Sequence, residues 1–433
     1  MKEQESIPTT KVARSAKFVK TGIQIGGNYI KHYSKKLFNP ELSRDELNED
    51  NAEDIYNSLS ELKGSALKIA QMLSMDKNAL PRAYVDKFSL SQYNAPPLSG
   101  PLIARTFTRN FGKTPDQIFN KFNLKASHAA SIGQVHQAEL NGKKLAIKIQ
   151  FPGVGDSISS DIKMVKPIAF RLLGMNEKEF TVYVKEVEER LLEETDYELE
   201  VRQSIEISKA CAGLANVVFP HYYPELSGPR IITMDWIDGL HLKEFLQTNP
   251  SQELRNKIGQ ALWDFYNYQQ HKLRKVHADP HPGNFLITPD EKLGVIDFGC
   301  IKNLPDDFYY PFFSLVSSDV LNDKEKTLEA FRKLEMILPS DTSAQVEFYY
   351  KWYKEMIGLF AQPYTSKTFD FSRDEFFDSL YDYGEKIAKM PEFKQARGVK
   401  HFIYVNRTNF GLYNILHELK ATVQTDIYKP DLY

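Results

Sequence analysis

The stretch that most constrains the fold of this chain is residues 276–299, VHADPHPGNFLITPDEKLGVIDFG. A loop rich in Pro, His and Gly carries Asp279 and leads to Asn284, and the short apolar run that follows predicts a strand. A Pro-Asp turn and a second apolar strand come next, and that strand ends at Asp297. A hairpin of this kind brings all three oxygen-bearing side chains to one of its ends.

These three side chains suit metal and phosphate chemistry. Asn284 and Asp297 offer the hard oxygen ligands that Mg²⁺ takes beside phosphate oxygens, and Asp279 is placed to position or deprotonate a hydroxyl group. The order Asp-x4-Asn followed by Asp-Phe-Gly matches the catalytic loop and metal-binding strand end of protein kinases, with His-Ala-Asp where His-Arg-Asp is usual. The alternative is a structural hairpin with incidental acids.

A metal-hydrolase interpretation would instead use His277, Asp279 and His281 as ligands. No further cluster of His and Glu completes that set, and the Asp-Phe-Gly strand end explains Asp279 better. We interpret His277 as a structural residue of the loop.

Composition excludes several function classes. With 42% hydrophobic residues, the 433-residue chain can bury a sizeable core, and a net charge of -2 argues against nucleic-acid binding. The two cysteines, Cys211 and Cys300, give no disulfide framework and no Cys-based metal site. No apolar run approaches the ~18 residues of a membrane span, and no signal peptide is recognised, so we expect a cytoplasmic protein.

Residues 1–37 are predicted to form a separate basic helix, with eight basic and two acidic side chains. Its apolar residues alternate at spacings of four and three, which predicts one apolar stripe: Val12, Ala16, Val19, Ile23, Gly26, Ile30 and Tyr33. Such a helix lies on an anionic membrane surface or docks on the rest of the protein with its lysines in solvent. The sequence leaves both alternatives open.

Residues 38–123 are predicted to be a helical extension that includes a helix over residues 115–122. Lys68 and Gln71 are three residues apart and are therefore neighbours on one helix surface. Taken alone, these two side chains are most simply solvated.

Residues 124–238 are predicted to be the strand-rich lobe of an α+β fold. Asn141-Gly142 predicts a hairpin turn, and the strand after it carries Lys148 among apolar residues. A buried lysine needs an anionic partner, which indicates a phosphate-binding Lys; the alternative is a strand-edge Lys that reaches water.

A helical pattern over residues 156–215 carries Glu194 and Glu200. On one continuous helix these residues lie about 120° apart, so both cannot serve Lys148 in the same way; a solvated helix face is the alternative for either. A later strand ends at a predicted hinge whose backbone would hold an adenine edge: Met234, Asp235, Trp236 and Ile237.

Residues 239–433 are predicted to be a helical second lobe. No Ala-Pro-Glu motif and no long activation segment follow Gly299. The part after residue 305 is helical in pattern and rich in Tyr and Phe, which we assign mostly to core packing; the sequence assigns it no chemistry.

In this order, the motifs resemble the UbiB/AarF-type atypical kinase-like family, which is associated with coenzyme Q and other isoprenoid-lipid pathways. The resemblance covers about residues 45–305. It implies a bilobal protein-kinase-like fold with an N-terminal helical extension and a helical C-terminal region. It rests on residues 63–74, 129–136, 145–154, 194–200, 276–284 and 297–299.

The resemblance also implies regulatory roles. The family's Lys-x-Gly-Gln motif, on an extension folded over the active site, is similar to Lys68-Ile69-Ala70-Gln71, with Ala in the Gly position. The family's Glu-x-Asp motif resembles Glu194-Thr195-Asp196, in which Glu194 would engage Lys68.

The nucleotide site follows from the same resemblance. Lys148 would pair with Glu200, and an Ala-rich loop, Ala129-Ala130-Ser131, would replace the Gly-rich phosphate loop of kinases. Alanine allows a less close backbone approach to phosphates than glycine does, which is expected to alter nucleotide preference.

The hypothesis that follows is an ATP- and Mg²⁺-dependent ATPase or phosphotransferase that supports isoprenoid-lipid (quinone) metabolism at a membrane surface. The alternative is a catalytically weak, nucleotide-responsive scaffold for a lipid-pathway complex. The expected partners are a nucleotide, an anionic membrane surface or isoprenoid lipid, and proteins of the lipid pathway. The expected localisation is cytoplasmic, with peripheral attachment to the inner membrane as its membrane-bound form.

Overall fold

A computed structural model describes most of the chain. It covers residues 45–62, 98–129, 132–173, 177–394 and 397–430, together with residues 83, 84 and 87 and scattered positions between 20 and 35. Lys68, Gln71, Ala130 and Ser131 lie outside the described residues, as does most of the predicted helix of residues 1–37. The chain divides into two compact units, Met1–Val201 with His221–Trp236 and Arg202–Pro220 with Ile237–Tyr433.

Helices come first in the described part of the first unit: α1 (Asp45–Leu62), α2 (Gly100–Phe111) and α3 (Pro115–Ile118). A proline in its first turn starts α2, and Gly112, in the left-handed region at φ 69°, ends it. The predicted helix over residues 115–122 is too long. It stops at Ile118, and β1 (Lys121–Phe122) follows as an edge strand, because its two residues pair with residues 138–139 of a later strand instead of continuing a helix.

Part of the N-terminal segment contacts α1. The Asn28 side-chain amide donates to Asp54 at 2.8 Å and to Asn51 at 3.1 Å, and the Lys31 ammonium lies 3.5 Å from Asp50. Asn28 and Lys31 therefore contact α1. Every residue of the predicted apolar stripe lies outside the described residues.

An antiparallel sheet forms the centre of the first unit. Its strands are β1, β2 (His128–Ala129), β3 (Gly133–Leu140), β4 (Lys143–Gln150) and β6 (Ile231–Asp235), while β5 (Val217–Val218) belongs to the second unit. The order is β1-β3-β4-β6, and β2 also pairs with β3. The predicted turn between β3 and β4 is confirmed, since Asn141 and Gly142 both take positive φ, 51° and 77°.

Three helices follow β4: α4 (Val154–Leu173), α5 (Glu177–Thr195) and α6 (Tyr197–Ala210). The prediction treated Glu194 and Glu200 as members of one helix, which is wrong. The helix breaks at Asp196, whose side-chain oxygen accepts the Leu199 N–H at 2.8 Å and so caps the start of α6. The hydrophobic pattern runs on across the break, which is why periodicity did not reveal it.

The second unit begins with α7 (Leu242–Gln247) and α8 (Gln252–Tyr268), followed by β7 (Lys275–His277), β8 (Phe285–Ile287), β9 (Leu293–Val295) and β10 (Ile301–Asn303). Strand β9 pairs antiparallel with β8 and parallel with β5, while β7 pairs antiparallel with β10. Helix α8 carries fully buried aromatic residues, Trp263, Phe265 and Tyr266, on which this core is built.

The remainder consists of α9 (Asp306–Ser314), α10 (Ser318–Leu321), α11 (Lys324–Lys333), α12 (Ser343–Phe360), β11 (Thr368–Asp370), α13 (Asp374–Ala388), α14 (His401–Leu419) and β12 (Thr422–Gln424). The core role predicted for its aromatic residues is confirmed by buried side chains such as Phe313, Phe331, Phe371 and Tyr413. Among the helices that the structure describes, none is both long and apolar enough to cross a membrane. The mixture of antiparallel sheet and separate helices confirms the predicted α+β class.

Candidate active site

Lys148 is a buried cation at the centre of the sheet of the first unit. It lies on β4 opposite Ile232 of β6 and Val135 of β3, and it is 8% exposed. Its ammonium donates to a Glu200 carboxylate oxygen at 2.7 Å and lies 5.3 Å from the centre of the Tyr197 ring. The structure therefore brings together the two residues for which the resemblance implied a pair.

Glu200 reaches Lys148 because α6 begins at Tyr197, which places Glu200 in its first turn. Asp196 caps that helix, and a second link joins strand to helix, since the Gln150 side chain donates to the Thr195 carbonyl at 2.9 Å. Asp196 thus has a local structural task in addition to its predicted regulatory one. Glu194 lies in the last turn of α5 and is partly exposed; its predicted partner Lys68 lies outside the described residues.

The predicted phosphate loop is described only at its first residue. Ala129 ends β2 and pairs with Gln134 of β3. After the loop, Gly133 allows a close approach of β3 to β4, because a Cβ there would lie 2.3 Å from the Ile149 carbonyl oxygen. The contacted carbonyl, that of Ile149, lies one residue after Lys148 on the neighbouring strand.

Part of the predicted hinge is already occupied by protein hydrogen bonds. Met234 and Asp235 end β6. The Asp235 N–H donates to the His221 carbonyl at 2.8 Å, and the Trp236 N–H donates to the Lys144 carbonyl at 3.0 Å. The backbone N–H groups of Asp235 and Trp236 are therefore already engaged by carbonyls of the first unit.

The hinge carboxylate is also engaged. Asp235 accepts the Tyr223 hydroxyl at 2.8 Å, and burial together with this carboxylate raises the pKa of Tyr223 to about 12. This oxygen of Asp235 therefore binds the loop that carries Tyr223.

In the second unit, the two predicted metal ligands, Asn284 and Asp297, flank one end of the β8–β9 hairpin, and Asn284 contacts the predicted base Asp279. Asn284 ends a 3-10 turn, Pro282–Asn284, and its carbonyl accepts the Ile296 N–H at 3.1 Å, directly before Asp297. The Asn284 amide nitrogen donates to the Asp279 backbone oxygen at 2.9 Å and to its carboxylate at 3.2 Å. Since both partners are acceptors, the nitrogen must face them, and the amide oxygen faces the other way.

Asp297 is held by its own turn. One carboxylate oxygen accepts the Gly299 N–H at 2.9 Å, and the intervening Phe298 is fully buried against Phe265. An Asn oxygen and an Asp carboxylate at one hairpin end fit Mg²⁺, which binds through one or two protein ligands and completes its shell with phosphate oxygens and water.

His277 is structural, as expected. It is fully buried, its Nδ1 lies 3.2 Å from the Tyr266 hydroxyl, and burial lowers its pKa while the nearby Asp279 and Asp297 carboxylates partly oppose that shift. A neutral imidazole here packs the loop and does not supply charge.

The hydrolase interpretation gains nothing from the structure. His281 caps the 3-10 turn, because its Nδ1 accepts the Gly283 N–H at 3.0 Å. Within the described ranges, no group of three or more His, Cys, Asp or Glu side chains is arranged to hold a metal ion.

Sequence reasoning missed a buried network on β3. The Gln134 side chain accepts the Leu98 N–H at 2.8 Å and lies 2.7 Å from His136, and His136 bonds the Asn123 carbonyl at 2.8 Å. Burial lowers the pKa of His136. Gln134 and His136 therefore attach the sheet to Leu98 and Asn123 of the predicted extension. The available sequence signal was their spacing of two, which places both side chains on one face of a strand.

Comparison with known proteins identifies a family model, related sequences and a solved structure of the same fold. The model of the ABC1 atypical kinase-like domain matches residues 90–331, more than half of the chain. A Dictyostelium discoideum protein named "Probable serine/threonine-protein kinase abkA" is 29% identical over 76% of this chain and 62% of its own length. "Atypical kinase COQ8B, mitochondrial" from Danio rerio is 27% identical over 85% of this chain and 60% of its own length.

Among solved structures, the complex of Rv3197 with erythromycin from Mycobacterium tuberculosis shares the fold with a TM-score of 0.61. That similarity has 25% sequence identity and covers 89% of this chain and 97% of the other. The predicted kinase-like fold is therefore confirmed, whereas the chain spans only about six tenths of the length of the two curated relatives above. By its sequence and its fold, this chain belongs to the ABC1 atypical kinase-like family, the group to which the UbiB/AarF resemblance pointed.

Proposed function

We propose that this chain binds ATP with Mg²⁺ and acts as an atypical kinase-like ATPase or phosphotransferase. The observation that carries the proposal is the buried Lys148–Glu200 pair at 2.7 Å. A buried ion pair is seldom more stabilising than two apolar side chains of similar volume. Its presence on a central strand is therefore better explained by the need for a cation that binds phosphate.

In this proposal each charged group has one task. Lys148 binds the α- and β-phosphates, and Glu200 holds the ammonium in place. Asn284 and Asp297 hold the metal, whose charge would offset the negative charge that develops on the phosphate oxygens. Asp279 orients the attacking hydroxyl or water and takes its proton.

A small acceptor fits better than a protein substrate. Strand β10 begins at Ile301 and α9 at Asp306, directly after the Asp-Phe-Gly turn, so this stretch has no room for the long segment on which kinases dock a peptide. The proposed acceptor is a small molecule, a lipid headgroup or water.

The lipid pathway is the finer part of the proposal. It is supported by the family resemblance, by a relative named COQ8B, and by the basic character of residues 1–37. We propose that the chain serves isoprenoid-lipid metabolism at an anionic membrane surface, and that Lys68 and Gln71, with Glu194 and Asp196, regulate access to the site.

Phosphate release from MgATP tests this function. We would compare the intact protein with Asp297→Asn, with and without anionic liposomes. The expected result is turnover that falls by about 100-fold or more in the variant, since a bound metal supplies several kcal/mol of transition-state stabilisation. Stimulation by liposomes would support the membrane part. Equal background rates in both proteins would contradict the enzyme and leave the nucleotide-responsive scaffold as the function.

A further inference from the structure

Helix α14 lies outside the part of the chain that the family model matches, which ends at residue 331, yet it packs directly on the loop that carries Asp279. We call residues 277–284 the Asp279 loop. The contacts between α14 and this loop lie within the second unit. They place α14, for which the sequence predicted only core packing, beside the proposed catalytic base.

The backbone of α14 is pressed against the loop at Gly411. A Cβ at this position would lie 2.2 Å from the Pro280 Cγ and 3.3 Å from the Pro280 carbonyl oxygen. One turn earlier, the fully buried Thr408 hydroxyl donates to the His277 carbonyl at 3.3 Å. The helix therefore touches the loop on both sides of Asp279, and only a residue without a side chain fits at the closer contact.

Arg407 is the charged residue of this contact. Its guanidinium lies 3.9 Å from one Asp279 carboxylate oxygen, and the two side chains are 23% and 27% exposed. The other carboxylate oxygen accepts the Asn284 amide at 3.2 Å. The chain has Ala278 where protein kinases usually have arginine, so the guanidinium beside this loop comes from a distant element.

Two partners matter because a carboxylate turns easily. The terminal torsion of an aspartate is broad, with no sharp minimum, so contacts on both carboxylate oxygens orient the group more firmly than contacts on one. A cation facing that second oxygen restricts the rotation and fixes the direction in which the carboxylate can accept a proton. The rate of proton transfer to a base depends on that direction, whereas the affinity of the site for substrate depends on it little.

We propose that Arg407 is a positioning residue for Asp279, and that α14 is thereby a required part of the active site although it lies beyond the matched family domain. This inference rests on the proposed function, because Asp279 has its role only if phosphoryl transfer or ATP hydrolysis occurs. Arg407 is expected to act on the rate of the chemical step and hardly on nucleotide binding.

The test compares Arg407→Gln and Arg407→Lys with the intact protein, and uses Arg332→Gln, at an exposed position on α11, as the matched control. Two quantities are measured: kcat and KM for MgATP, and amide hydrogen exchange in the Asp279 loop. The loop contains two internal hydrogen bonds that report its order, from the His281 N–H to the Asp279 carbonyl and from the Asn284 N–H to the His281 carbonyl.

We expect Arg407→Gln to lower kcat about tenfold, or about 1.4 kcal/mol in barrier height, with KM nearly unchanged. Arg407→Lys should recover part of the loss, since it restores the charge without the planar fork. Exchange in the loop should accelerate in Arg407→Gln and remain as in the intact protein for Arg332→Gln.

Loop exchange that is the same in Arg407→Gln and Arg332→Gln would overturn the inference, whatever the rates. If the intact protein releases no phosphate, the proposed function fails, but the exchange measurement still shows whether Arg407 orders the Asp279 loop. Faster exchange in Arg407→Gln would then support the positioning of the loop by α14, and unchanged exchange would refute it.

Discussion

Glu200→Gln removes the negative charge that faces the Lys148 ammonium and keeps a side chain of nearly the same shape. The two groups are 2.7 Å apart, and their side chains are only 10% and 5% exposed. Removal of one partner from a buried pair costs about 3–5 kcal/mol, because the remaining charge is left without compensation. The glutamine oxygen still accepts a hydrogen bond, so we expect the lower end, about 3 kcal/mol of unfolding free energy.

A double-mutant cycle measures the interaction itself. Lys148→Met, Glu200→Gln and the double variant would be unfolded in urea without nucleotide and followed by both circular dichroism and tryptophan fluorescence. The double variant should be much less destabilised than the sum of the single variants, with a coupling of about 2–3 kcal/mol. Costs that add to within about 0.5 kcal/mol would refute the reasoning, since they would show that the two charges do not interact.

The chain offers a matched control for this cycle. Lys121 and Glu139 are paired across β1 and β3 at 2.8 Å, but their side chains are 77% and 36% exposed. The same cycle with Lys121→Met and Glu139→Gln should give a coupling of about 0–1 kcal/mol. A difference between the two cycles would then reflect burial and not distance.

Two further predictions concern stability. Burial raises the pKa of Asp264 on α8 from 3.8 to about 6, so the stability that its protonated form supplies below pH 4 is lost as the pH rises to about 6. Asp264→Asn should therefore raise the unfolding free energy by about 3 kcal/mol at pH 8 and by far less at pH 4; an equal gain in urea unfolding at both pH values would contradict the assignment. Asp196→Ala should cost about 1 kcal/mol through loss of the α6 cap, whereas Asp196→Asn should keep most of it; equal urea midpoints for the two variants would show that the cap contributes little.

The local arrangement of Asp279, Asn284 and Asp297 was predictable from sequence because it is encoded in a short stretch. The loop, the hairpin and the Asp-Phe-Gly turn between Asp279 and Gly299 need only turn residues and two apolar runs, and the structure forms them from those residues. The partner of Lys148 was a different matter. It lies 52 residues away, and periodicity alone left Glu194 and Glu200 as alternatives until the family resemblance chose between them.

Contacts over longer distances in sequence were beyond prediction. Thr408 and His277 are 131 residues apart, and nothing in the helical pattern of α14 distinguishes a residue that touches the Asp279 loop from one that faces the core. The cap at Asp196 was missed for the opposite reason, since a strong helical pattern on both sides concealed a single-residue break.

We propose that the hairpin end formed by Asn284 and Asp297 binds a metal together with a nucleotide. The test is calorimetric titration of ATP into the intact protein and into Asp297→Asn, each in Mg²⁺ and in EDTA. We predict that Mg²⁺ tightens ATP binding by about tenfold or more, about 1.4 kcal/mol, in the intact protein and has little effect in the variant. ATP binding with the same affinity in Mg²⁺ and EDTA, or an equal Mg²⁺ effect in both proteins, would contradict the account.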